Sequence, residues 1–279
     1  MRTRSHAARW AAAPLVALAA CGGADEPGSA ASSTTATTAA QDTTTTTTVV
    51  PFGPLENLPV VQIEATDLPD PPAGYIDEDI EALAGQAVTI ATRGLEEAVW
   101  AATPKEAFDH VLSGLPLETT GDLGVALIEQ FGEVESWALA DSFHPQDLPV
   151  GPPRVFARDW SVELEDAGGG ETFLALELRL SVAYAFEPEA EPRVALVQRA
   201  VRLGSFAPRD PTAWPSVGFT THVDAIDRCA LFGDGVLRPS SNLADDIEHF
   251  IETIDPASER WATDPDGSEG TAAPAEGEC

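Results

Sequence analysis

Apolar residues recur at every third or fourth position over Ile80, Leu83, Ala84, Ala87, Ile90, Ala91, Leu95 and Ala98, a spacing that predicts one long amphipathic helix running through Trp100. Asp77 stands ahead of it as the N-cap, because a short carboxylate accepts hydrogen bonds from the first unpaired helical amides. Thr103-Pro104-Lys105-Glu106 has the residues of a capping box with proline at the first helical position. A second helix therefore starts there, buries Phe108, Val111 and Leu112, and ends at the turn of Gly114. A weaker stripe of Leu123, Leu127, Ile128 and Phe131 predicts a third helix over 121–131, in which Gly124 lowers the propensity.

The period then changes from helical to alternating. Leu174, Leu176, Leu178, Leu180, Val182, Tyr184 and Phe186 fall on one side of a strand spanning Thr172–Phe186, with Glu177, Arg179 and Ser181 on the other. Val155–Glu165 alternates in the same way, placing Phe156, Trp160, Val162 and Leu164 together, and Ala167-Gly168-Gly169-Gly170 joins the two as a hairpin. Further strands are predicted at Val194–Phe206 and Val217–Asp227, and Asp234-Gly235 as a hairpin turn following a short strand at Cys229–Phe232. Ser241 or Asn242 caps a last helix whose apolar residues are Leu243, Ile247, Phe250, Ile251 and Ile254. Pro256 terminates it.

Helices first and an antiparallel meander afterwards define an α+β domain over residues 59–255, with the N-terminal helices packed on a curved antiparallel sheet and a C-terminal helix added. From Tyr75 to Pro239 this order of elements resembles the cone-shaped fold of nuclear transport factor 2, the NTF2-like fold; the C-terminal helix departs from it. The resemblance implies a cavity between the concave face of the sheet and the helices. It does not imply one activity, because that fold carries isomerases, dehydratases and non-catalytic binding modules.

With such a cavity, polar residues on apolar strand faces become the candidates for ligand binding. Arg158 shares a face with Phe156 and Trp160, Tyr184 ends the longest apolar row, and Arg199 interrupts Ala195, Val197, Val201 and Leu203. Two guanidinium groups and a phenol can receive a small acidic ligand, since guanidinium matches carboxylate in two-pronged fashion. The competing reading pairs each arginine with one of the chain's own acids or sends it to the sheet edge.

The N-terminus changes the picture from domain to address. Arg2, Arg4 and Arg9 precede an apolar run from Trp10 to Ala20, as in a secretory signal over residues 1–20. Leu18-Ala19-Ala20-Cys21 resembles the lipobox of bacterial lipoproteins. That resemblance implies a diacylglycerol on the Cys21 thiol, cleavage just before it, and a second acyl chain that makes anchoring stable at about 0.8 kcal/mol per buried methylene. The alternative is a secreted protein cut after Ala20. Residues 21–58, rich in threonine, read as a disordered tether with a reach of about 35 Å, and residues 256–279 as an acidic tail. In an exported chain the remaining Cys229 and Cys279 are a candidate disulfide; the other reading is two separate thiols.

Charge narrows the partners. Acidic residues number 46 against 15 basic, a net charge of −31, which repels nucleic acid and anionic lipid headgroups. The sequence has no Gly-x-Ser-x-Gly elbow. His110, His144, His222 and His249 show no ligand pair at helical or turn spacing, so no metal and no cofactor is assigned; His144 with Asp147 and His222 with Asp224 read as surface pairs. Asp264-x-Asp266-Gly267 lacks the other ligands of a calcium loop. The chain thus reads as a lipid-anchored extracytoplasmic protein with a non-catalytic binding or assembly domain, its partner a cell-envelope protein or a small acidic ligand. An NTF2-like enzyme with a small-molecule pocket is the alternative.

Overall fold

The computed structural model describes residues 52–114, 140–168, 170–187, 192–210, 216–240, 244–262 and 279. Cys21 and the segment resembling a lipobox, most of the stretch read as a tether, the helix predicted over 121–131 and residues 263–278 lie outside them. Among the described residues are five α-helices and an open four-stranded antiparallel sheet: α1 (Asp77–Gly94), α2 (Glu97–Trp100), α3 (Pro104–Leu112), β1 (Arg154–Gly168), β2 (Glu171–Ala185), β3 (Val194–Ser205), β4 (Ser216–Asp224), α4 (Arg228–Asp234) and α5 (Ala244–Thr253). The strands pair in chain order, so β1 and β4 are the edges.

Local chemistry sets the helix ends. Thr103 Oγ1 accepts from the Glu106 amide and Glu106 returns a carboxylate to the Thr103 amide at 2.9 Å, so the predicted capping box forms. The start of α1 differs by one residue: Ile76 is the N-cap, and Asp79, three residues on, accepts from the Ile76 amide at 2.9 Å. The predicted single helix through Trp100 breaks after Gly94. There the Gly94 carbonyl accepts from the Asp141 amide at 2.9 Å, and the Leu95 carbonyl from the Trp100 indole at 3.2 Å. A distant amide and a nearby indole thus take carbonyls that a continuous helix would use internally.

A hairpin at Asp234-Gly235 does not form. Asp227 caps a helix by accepting from the amides of Cys229 and Ala230, and Gly235, at φ 70°, closes it as the left-handed C-cap. Asp-Gly serves a helix end as well as a hairpin, and the apolar run between was too short to carry a period. Correspondingly, β4 ends at Asp224 rather than running to Asp227.

Both faces of the sheet are covered. The row from Leu174 to Phe186 is buried against α1, α3 and the 140–143 segment. On the opposite face Ala183, Ala185 and Leu196 pack with Ile247 and Phe250 of α5, and with Phe52 and Leu55. The packed chain therefore begins ahead of Pro59, within the stretch read as tether. It also continues past 255: Trp261 donates its indole N–H to Ser181 Oγ at 3.1 Å, and the Ala262 amide donates to Gln198 Oε1 at 3.0 Å. Ser181, predicted to face out, is fully buried beneath this segment.

One irregularity reverses a face assignment. Val155 pairs with Val182 and Ala157 with Ser181, so Phe156 is the extra residue of a β-bulge. Phe156 consequently packs against Phe250 of α5, centroids 6.4 Å apart, while Arg158 and Trp160 lie on the α1 side. The predicted grouping of Phe156 with Arg158 and Trp160 fails because a single inserted residue shifts the two-residue period.

Cys229 and Cys279 form a disulfide with Cα atoms 5.5 Å apart, across 50 residues of chain. In the loop-entropy account such a closure stabilises the fold by about 4 kcal/mol. No described helix is long and apolar enough to cross a membrane.

Candidate functional site

Among the described residues, buried polar clusters lie on both faces of the sheet, and two of them bear on function. The first contains two of the three residues named for ligand binding. Tyr184 on β2 and Arg199 on β3 point to the α1 side, where Tyr184 Oη donates to Asp141 Oδ2 and Arg199 Nη2 donates to Asp141 Oδ1, each at 2.6 Å. Asp141 is 0% exposed and Arg199 2%. The carboxylate that meets the phenol and the guanidinium is thus the chain's own. Asp141 reaches that position because its segment is pinned on both sides: its amide donates to Gly94, that of Phe143 to Trp100, and that of Leu237 to Ser142. Phe143, Trp100 and Phe186 close the surroundings, with the Phe143 and Tyr184 rings 4.8 Å apart. Burial first, and then the charge of Asp141, push the Tyr184 phenol well above its ordinary value.

Arg158 stands apart from this pair. It sits on edge strand β1 and donates to the Glu64 carbonyl at 2.6 Å and to Asp67 Oδ2 at 2.9 Å, which fastens the lead-in segment to the sheet edge. Among the described residues, the Leu174-to-Phe186 row, the aromatic rings and Asp141 pack between the sheet and the helices, where the resemblance implied a cavity. An open groove of about 500 Å³ between Trp100 and the Pro149–Pro153 segment lies outside it.

The second cluster is one the sequence reading passed over. His222 and Asp224 sit two residues apart on β4 and so share a face, the one toward α5; His249 projects from α5 to meet them. Far from being a surface pair, His222 is 1% exposed and Asp224 7%, with His249 at 8%. One donor atom from each residue lies within 4.8 Å of the others, and His222 Nε2 stands 3.0 Å from Asp224 Oδ1. The two imidazoles meet edge to face, 6.1 Å between centroids. Asp224 Oδ2 is buried and makes no hydrogen bond.

Asp246, three residues before His249 on α5, adds a second carboxylate nearby. Its acidity is weakened by burial and then by the charge of Asp224, which outweigh the opposing Ala225 amide and Arg228. The alternation that puts His222 and Asp224 on one strand face was present in the sequence. What was missing was any sign that α5 would lie over that face. The other two histidines among the described residues have separate partners: His110 Nε2 lies 2.6 Å from Glu96 Oε2, and His144 Nδ1 3.9 Å from Asp147 Oδ2.

No family model matches the chain, and comparison with curated proteins and with solved structures gives no match.

Proposed function

We propose that the protein is a lipid-anchored extracytoplasmic module, held at the membrane through Cys21, whose folded part binds or assembles with a cell-envelope protein and performs no catalysis of its own. The observation that carries the non-catalytic reading is the closure of Tyr184 and Arg199 on Asp141. An enzyme of the NTF2-like kind needs a catalytic group and a substrate in that space, and among the described residues side chains pack there. The same closure favours a protein partner over a small acid, since an incoming carboxylate would have to displace Asp141 from two short hydrogen bonds. Support for the anchor is the lipobox Leu18-Ala19-Ala20-Cys21. The strong negative charge keeps a tethered domain soluble and clear of anionic headgroups. The NTF2-like arrangement belongs to this proposal; it is supported by the order of helices before meander and by α1 lying across β2 and β3.

The test is Cys21→Ser in the native host, followed by membrane fractionation and labelling with radioactive palmitate. The substituted protein should lose the label and either accumulate uncut or leave the membrane. Normal processing with unchanged membrane retention would refute the anchor. A saturable thermal shift with small carboxylic acids, abolished by Arg199→Met, would refute the filled-core reading and restore the enzyme.

A further inference from the structure

We propose that His222, Asp224 and His249 bind a divalent first-row transition metal ion, zinc foremost, between β4 and α5. Two imidazoles and a carboxylate form a donor set of the type that zinc accepts, and three protein ligands leave a fourth position for water or another group. The three donors already converge within 4.8 Å, and bonds of about 2.0–2.2 Å require only a small contraction of that cluster. The ligands come from two elements that are distant in sequence and packed on each other, so the site is held by the tertiary fold.

Burial is the reason this cluster differs from the many acids on the surface. Burying a carboxylate oxygen without a hydrogen bond costs its lost hydration, and more when it is charged. Asp224 Oδ2 is in that position. A cation bound beside it removes the cost. Thiolate does not enter the set, because Cys229 is committed to Cys279. Harder ions such as calcium and magnesium prefer oxygen donors throughout, which two histidines disfavour. With a net charge of −31 the protein also concentrates cations near its surface. The ion would tie the edge strand to the C-terminal helix. The inference does not depend on the anchor or on the non-catalytic reading.

The experiment uses the full-length protein, stripped with a chelator and titrated with zinc chloride by calorimetry and by thermal melting. One equivalent should bind per chain and raise the melting temperature. His222→Ala and His249→Ala should each lose that equivalent, and Asp224→Asn should weaken it. A protein carrying His110→Ala and His144→Ala should bind as the parent does. In that protein the ligands are intact, so nitrogen resonances of the His222 and His249 imidazoles can be followed directly whatever the fate of the other variants. They should shift with the first equivalent of zinc. Unmoved resonances, or weak uptake of several equivalents that His222→Ala and His249→Ala leave unchanged, would overturn the proposal and assign the binding to surface carboxylates.

Discussion

Asp141 accepts a hydrogen bond on each carboxylate oxygen, from donors 43 and 58 residues further along the chain. Removing it would take the Asp141 carboxylate from the buried Arg199 guanidinium, and breaking a buried pair from one side costs about 3–5 kcal/mol. Asp141→Ala should therefore lose that much in urea unfolding. Asp141→Ala combined with Arg199→Met should recover part of the loss, because the second change removes the buried charge that Asp141 neutralised. If the single variant unfolds at the parent midpoint, the pair adds nothing to stability. Arg158 is a different kind of residue: its partner Asp67 is largely exposed, so its ion pair is worth little and its role is to hold the lead-in segment.

The elements show how short-range and long-range forces divide the work. In α3 the cap, the proline at the first position and the buried stripe all agree, and the helix forms where its residues direct. Thr103→Ala should cost about 1 kcal/mol, read as a lower urea midpoint with an unchanged slope. An unaltered midpoint would mean that packing of Phe108, Val111 and Leu112 fixes the helix without help from its cap. In β1, by contrast, the bulge at Phe156 overrides a strand period that the residues themselves continue, and sends one aromatic ring to α5 while its neighbours face α1. Burying apolar surface on both sides of the sheet favours that exchange, at roughly 25 cal/mol per Å² removed from water.

At the scale of the whole molecule, Asp147 ties three parts of the chain. Its carboxylate takes Arg193 at the entry to β3 at 2.7 Å and Arg238 beyond α4 at 3.1 Å. Burial acts to raise its pKa, but the hydrogen bonds and charges of the two arginines outweigh that and hold the carboxyl below its ordinary value. A folded-state pKa below the unfolded one means that the unfolded chain takes up protons first as the pH drops. The stability from Asp147 is thus complete above the unfolded carboxylate value of about 3.9 and is lost as the pH falls through the folded value. Asp147→Asn should lower the melting temperature at neutral pH and flatten its decline below about pH 4. An acid limb as steep as the parent's would place the sensitivity in other carboxylates.

What the sequence settled by itself is what a few neighbouring residues can encode: the capping box at Thr103, the strand alternation from Leu174 to Phe186, the order of helices before an antiparallel meander. Each depends on interactions within one turn or one strand, so the period survives in the string. The tertiary structure alone decided what lies against what. It put Asp141 between Tyr184 and Arg199, laid α5 over His222 and Asp224, carried Trp261 back onto Ser181, and turned Phe156 to the other face. Those outcomes depend on how two covered faces of one sheet share the available side chains. Among 46 acidic residues, nothing local marks which carboxylate will be buried, because burial belongs to the partner that covers it and not to the residue.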